Sequence, residues 1–198
     1  MELLQRILES LPDVPIEVRK IIIGVHWTLV CSKYGGLGST LTNCGPHGHS
    51  HIRDVGSLHH KSAQELAQWV LSDNLLEASI GIAAMNSLIS VDEDKMVQKN
   101  AADVIAREGK EKNIVIVGHF PFVEKMKSIT RNCWVIEKRP NGDDFPEESA
   151  KEFIPQADVI AITGTAFINH SMTGLLSLCH PTAQVMVLGP STPLSPIL

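Results

Sequence analysis

Asn113-Ile-Val-Ile-Val-Gly118 is the stretch on which the fold turns. Four β-branched apolar residues run without a break between an asparagine and a glycine. A strand with one wet face alternates apolar and polar side chains, so an unbroken apolar run implies cover on both faces. Three runs of the same kind follow: Asn132-CWVIE-137, Ala157-DVIAIT-163 and Ala183-QVMVLG-189. Helical segments fit between them at 122–130, 147–153 and 171–179. Apolar strands alternating with helices predict a parallel sheet with helices on both faces, an α/β arrangement.

In such a sheet, ligands bind beyond the carboxyl ends of the strands, where the strand order reverses. With the order 2-1-3-4, the loops flanking that point are Gly118-His-Phe-Pro-Phe122 and Thr163-Gly-Thr-Ala-Phe-Ile-Asn-His170, with the turn Gly189-Pro-Ser-Thr-Pro193 nearby. Gly118 permits close approach to the backbone. Thr163, Thr165, Asn169 and Ser191 offer neutral hydrogen-bonding groups, and His119 offers an imidazole. Glu137 closes the second strand, where nucleotide-binding sheets place a carboxylate for ribose hydroxyls. Each also has a purely structural reading: Glu137 as a solvated carboxylate, His119 as a packing residue, Asn169 and Ser171 as helix caps, and Asn86 as a helix-terminal polar group. The stretch GHFPFV lacks the GxGxxG pattern that cradles a pyrophosphate.

The first part of the chain reads differently. Residues 2–10 have apolar side chains at helical spacing, stopped by Pro12. Residues 20–33 are rich in β-branched and aromatic residues and read as a strand; Gly35, Gly36 and Gly38 then suggest a turn. Ser62-Ala-Gln-Glu65 has the form of a capping box opening a helix through Leu71. A helix over 75–88 is apolar nearly all round and is expected at the centre, with Gly81, Ala83 and Ala84 allowing close packing. Strands followed by helices give an α+β domain. A further helix from about Asp94 to Glu108 ends at Gly109 in the role of a C′ residue. The boundary falls near 90–110, giving an α+β domain over 1–92 and an α/β domain over 93–198.

Bulk properties narrow the function classes. The 198 residues are 43% hydrophobic and 20% charged, with net charge −5. A nucleic-acid partner therefore has no electrostatic support. The longest apolar stretch, Ile21 to Cys31, is interrupted by His26 and is too short to span a bilayer. With no export signal and four scattered cysteines (31, 44, 133 and 179), the expectation is a cytoplasmic protein with reduced thiols.

One segment stands apart: Cys44-Gly-Pro-His-Gly-His-Ser-His-Ile-Arg-Asp54. His47, His49 and His51 recur at every second position. Neutral imidazoles bind zinc, nickel, cobalt, copper or iron. On a flat strand, adjacent members of such a run stand about 6.5–7 Å apart and three converge poorly on one ion. Gly45, Pro46 and Gly48 favour a loop that can bend, with Cys44 and Asp54 as further ligands. The competing reading is an exposed polar loop with adventitious affinity for metals.

At GHFPF, ITGTAFINHS and LGPSTPLSP, together with SAQELA, NLLEASIGIAAMNSL and Glu137, the sequence resembles the putative heavy-metal chelation family over about 20–198. The resemblance implies an enolase-N-terminal-like domain, then a Rossmann-like domain, with a ligand site in the cleft between them. The matching positions are Gly118, Phe120, Pro121, Glu137, Thr163, Gly164, Thr165, Asn169, Gly189, Pro190 and Ser191. The Rossmann-like domain of the family continues past the GPS turn, so this chain, stopping at Leu198, is expected to be short of a last strand or helix. The leading functional expectation is binding or handling of a transition metal (zinc, nickel, cobalt or iron) or a metal-containing small molecule. The alternative is an enzyme or sensor for a nucleotide-like ligand such as S-adenosylmethionine. A third expectation is a binding subunit that pairs as a homodimer through an edge of the N-terminal strands. No nucleophile–base pair can be assigned, so no reaction is read from the sequence.

Overall fold

A computed structural model describes residues 2–42 and 51–198. The chain forms two compact units. The first comprises Met1–Glu93, Gly164–Thr173 and Gly189–Leu198; the second comprises Asp94–Thr163 and Gly174–Leu188.

The first unit begins with helix α1 (Glu2–Glu9), which buries Leu4, Ile7 and Leu8 on one face. The stretch read as one strand is two: β1 (Lys20–Ile23) and β2 (Trp27–Cys31), antiparallel and joined at Gly24-Val25-His26. Residues of strand-forming type stand on both sides of Gly24, so composition alone misses the bend. The glycines read as a turn lie instead in a third strand, β3 (Gly35–Ser39), which pairs antiparallel with β2. Packing explains them. A Cβ on Gly36 would overlap the Ala83 carbonyl oxygen and the Ser87 nitrogen, and one on Gly38 would overlap Ile82. These atoms belong to helix α3 (Leu75–Asn86) and the residue after it. Strand and helix approach backbone to backbone, which only glycine permits.

The capping box is present. The Ser62 hydroxyl accepts from Glu65 N, and the Glu65 carboxylate accepts from Ser62 N at 2.7 Å, opening α2 (Ala63–Ala67). A 3₁₀ turn, Gln68–Leu71, replaces the expected α-helical continuation. Helix α3 is buried over Glu77–Met85, as its all-round apolar sequence predicts. Gly81 of α3 faces Val70, where a Cβ would overlap the Val70 nitrogen.

In the second unit, helix α4 (Ala101–Gly109) starts later than expected, capped by the Asn100 side chain on Ala102 N at 2.8 Å. Gly109 is the last helical residue, buried against Ile114; Glu111 takes the left-handed conformation with φ 58°. The parallel strands are β4 (Asn113–Val117), β5 (Asn132–Glu137), β7 (Val159–Thr163) and β8 (Gln184–Leu188). A two-residue strand that sequence reading missed, β6 (Phe145–Pro146), joins one edge. The order is β6-β5-β4-β7-β8, all parallel, so the four expected strands stand in the order 2-1-3-4. Helices α5 (Val123–Ile129) and α6 (Ala150–Phe153) connect them. Ile105, Ile114, Ile116, Val123, Met126, Val135, Val159 and Ala161 form the core. A helix not foreseen, α7 (Thr165–Ile168), belongs to the first unit and packs on α3. Helix α8 (Met172–Leu178) precedes β8. The architecture is thus an α+β unit with a three-stranded antiparallel sheet and a Rossmann-like parallel-sheet unit.

Candidate functional site

Two groups of sequence-predicted site residues form, one in each unit. In the second unit, Gly118, Glu137 and Thr163 stand at the carboxyl ends of the adjacent strands β4, β5 and β7. Gly118 N donates to Ile136 O at 2.9 Å, and its φ of 102° is one that L side chains rarely adopt. A Cβ there would lie 3.0 Å from the Thr163 side chain, so the backbone of one strand end rests against the threonine of the next. Glu137 is half-buried, and its carboxylate accepts from Lys138 N at 3.1 Å.

The loop after Gly118 divides its labour. Phe120 stacks on Phe122 with centroids 5.1 Å apart, and both pack on the core. Phe120 therefore anchors the loop, while Pro121 is exposed. The His119 side chain is 58% exposed and places Nδ1 3.3 Å from the Asp144 carboxylate, which is itself 4% exposed. Asp144 was not a sequence candidate. It lies in the turn before β6, and a two-residue edge strand leaves no periodic signal.

In the first unit, the segments after β7 and β8 meet. A Cβ on Gly164 would fall 2.7 Å from Thr192 Oγ1 and 2.8 Å from Thr192 N. Ser191 is buried; its Oγ accepts from Ser39 N at 2.8 Å and donates to Ser39 Oγ at 3.1 Å. Asn86, the last residue of α3, donates through Nδ2 to Leu37 O at 2.9 Å and to Pro190 O at 3.2 Å. Both partners are carbonyls, which fixes the amide orientation and leaves Oδ1 as an acceptor. That Oδ1 and Thr192 Oγ1 are buried side-chain atoms without a hydrogen-bond partner among the described residues. Ser191 is therefore a structural link, and the unfilled capacity sits on its neighbours. Asn169 Oδ1 accepts from Ser171 N and Oγ at 3.1 and 2.6 Å, a local turn bond. Thr163 and Thr165 also make interactions within the structure. His170 sits at φ 61°, and its Nε2 donates to the Val70 carbonyl at 2.7 Å.

Of the metal candidates, Cys44, His47 and His49 lie outside the described residues. His51 is exposed; its carbonyl accepts from Asn74 Nδ2 at 2.7 Å. Two residues on, Arg53 is clamped to Glu77: its N lies 2.9 Å from Oε1, Nε 3.1 Å from both oxygens, and Nη2 2.9 Å from Oε2. Ser72 Oγ adds a bond of 2.6 Å to Oε2, and the guanidinium stands 4.8 Å from the Trp69 ring centroid. Burial pushes the Glu77 carboxyl up, but the Ser72 hydroxyl and the Arg53 N–H and guanidinium outweigh it and hold it below the usual glutamate range. The end of the histidine run is thus tied to the amino end of α3. Among the described residues, no three His, Cys, Asp or Glu side chains assemble into a metal-holding group. No helix of the described residues is long and apolar enough to cross a membrane.

Two family models match, both described as putative heavy-metal chelation: one over residues 5–89 and one over residues 100–198. No curated protein matches the chain. A protein of unknown function from the DUF364 family of Desulfitobacterium hafniense DCB-2 shares the fold, with TM-score 0.86 and 24% identity over 99% of this chain and 81% of its own. A DUF364 protein of unknown function from Pyrococcus horikoshii has TM-score 0.76 and 19% identity over 98% of this chain and 80% of its own.

Proposed function

The chain belongs to the putative heavy-metal chelation family, and on that premise we propose that it binds a transition metal or a small molecule carrying one. The segments Gly164–Asn169 and Gly189–Ser191 receive that ligand. The observation that carries the location is the pair of buried atoms Asn86 Oδ1 and Thr192 Oγ1 beside these segments, neither with a hydrogen-bond partner among the described residues. Buried polar atoms in native proteins are rarely left unpaired, and those that are commonly serve water, an ion or a ligand. Both are neutral oxygens, suited to N–H or O–H donors on a chelating molecule or to water on its metal. Gly189, at the start of the second segment, takes φ 96° and has open space where a Cβ would stand. His47, His49, His51 and Cys44 supply imidazole and thiolate ligands of the kind that zinc, nickel, cobalt and iron accept.

Metal analysis of untagged protein, followed by calorimetric titration with zinc, nickel, cobalt and iron, tests the reading. Native mass spectrometry of the same sample detects a co-purified metal complex. Stoichiometric metal by either route is the expected result. Thr192→Val should weaken retention of the ligand without unfolding the chain. Failure of all four metals, with no bound complex in the mass spectrum, overturns the proposal. A thermal shift with S-adenosylmethionine alone, of about 2.7 kcal/mol at 100 times its Kd and abolished by Glu137→Gln, replaces it with a nucleotide-type site.

A further inference from the structure

Strand β1 is the edge of the antiparallel sheet in the order β1-β2-β3. Gly24 N donates to Trp27 O at 2.9 Å, closing the turn at Val25-His26. With Ile22 opposite Leu29 and Lys20 opposite Cys31, the hydrogen-bonded pairs are 24/27, 22/29 and 20/31, because such pairs alternate along an antiparallel ladder. The backbone groups of Ile21 and Ile23 therefore point away from β2, and no described residue pairs with them. Native sheets usually blunt such edges with charges, proline or cover. Here the strand is Lys-Ile-Ile-Ile, with Ile22 44% and Ile23 40% exposed and Val25 86% exposed on the adjoining turn.

A second observation lies beside the edge. A pocket is lined by Ile21, Ile23, Gly56, Leu58 and His59. Ile21 and Ile23 stand opposite Val30 and Thr28, both fully buried, so their side chains lie on the sheet's inner face. A strand added at this edge places the residues opposite Ile21 and Ile23 on that same face, at the pocket.

We propose that β1 pairs antiparallel with β1 of a second copy of this chain, on a two-fold axis at Ile22. In this register Ile21 faces Ile23 of the second copy, and the outward N–H and C=O groups of both form four hydrogen bonds across the axis. The strand supplies its own apolar filling: Ile23 of each copy meets the pocket wall of the other. On the outer face, Ile22 meets Ile22, extending the row that Ile22, Leu29 and Leu37 make across the three strands. Charge permits this register. Lys20 carries the strand's one charge and falls opposite the uncharged Gly24, leaving the two ammonium-bearing positions about 13 Å apart along the strands. That exceeds the screening length of about 8–10 Å. Paired edges with an isologous contact make a closed dimer, and none of these residues belongs to the proposed ligand site.

Sedimentation equilibrium of the full chain over a concentration series is the test. The expected result is a dimer that Ile22→Lys converts to monomer with an unchanged far-UV circular dichroism spectrum. Ile21→Pro should do the same, since it removes an N–H that points away from β2 and leaves the β1–β2 ladder whole. A chain monomeric at every concentration overturns the proposal. So does a dimer that persists in Ile22→Lys, or a monomer whose β1 binds a peptide of another protein.

Discussion

The two sheets bury themselves by opposite means. The parallel sheet places Ile114, Val115, Ile116, Ile160, Ala161 and Ile162 inside, each at most 1% exposed. Its strands are apolar because both faces are covered. The antiparallel sheet covers one face by removing side chains: Gly36 and Gly38 let α3 lie on the strand, while Ile22, Trp27 and Leu37 remain exposed. Volume fills the first core and the lack of volume closes the second, so the two units should respond differently to the same kind of substitution.

Gly36→Val gives the largest effect. The new side chain must displace helix backbone rather than a flexible tip, and should cost at least about 3 kcal/mol, the upper end for overpacking. Chemical denaturation would measure it; a loss below about 1 kcal/mol would show that α3 can shift freely. In the second unit the sharpest expected contrast is chemical. Burial pushes the Cys133 thiol up to about 11, with Lys127 opposing only in part. At neutral pH it should react with a thiol reagent at least roughly 100-fold more slowly than an unperturbed cysteine. Mass-spectrometric labelling kinetics would read this, and rapid labelling in the native state would mean that β5 opens easily.

Glu77→Gln probes the polar clamp of the first unit. The carboxylate is 6% exposed and meets Arg53 and Ser72, so its loss should cost about 1.5–3 kcal/mol, as for bonds to a charged group. Its folded pKa lies below the ordinary glutamate value of about 4.3. The charged form therefore stabilises the fold above that range, and the contribution is lost as pH falls through the lowered value. Stability curves of wild type and variant should converge as pH falls through that lowered value; a constant gap would assign the loss to packing. The smallest effect has the opposite sign. Gly174 in α8 is exposed, with open space where a Cβ would stand. Gly174→Ala should stabilise by about 0.4–1 kcal/mol, visible as a raised Tm, whereas the same change at Gly81, against Val70, should destabilise.

Legibility followed the range of the forces. The parallel strands, the capping box and the buried helix 75–86 were readable, because each leaves a local pattern: an unbroken apolar run, a serine three residues before a glutamate, all-round hydrophobicity. The site was readable only as loops and residue types. Gly118, Glu137 and Thr163 stand together at strand ends because strand order brings them there. Asp144 beside His119, and the unpaired oxygens of Asn86 and Thr192, have no sequence signature. Each depends on contacts between residues far apart in the chain, 25 positions for His119 and Asp144 and 104 for Asn86 and Pro190.

By itself, then, the sequence determined which segments must be covered on both faces, since hydrophobic periodicity records the environment a strand or helix requires. The tertiary structure decided what supplies that cover. Gly36 and Gly38 read as a turn until α3 is seen against them, because a missing side chain signals flexibility locally and close approach only when the neighbour is present. Likewise Gly164–Thr173 and Gly189–Leu198 pack with the first 93 residues, a choice made by the fit of Gly164 on Thr192, Ser191 on Ser39 and Phe167 in the core rather than by position along the chain.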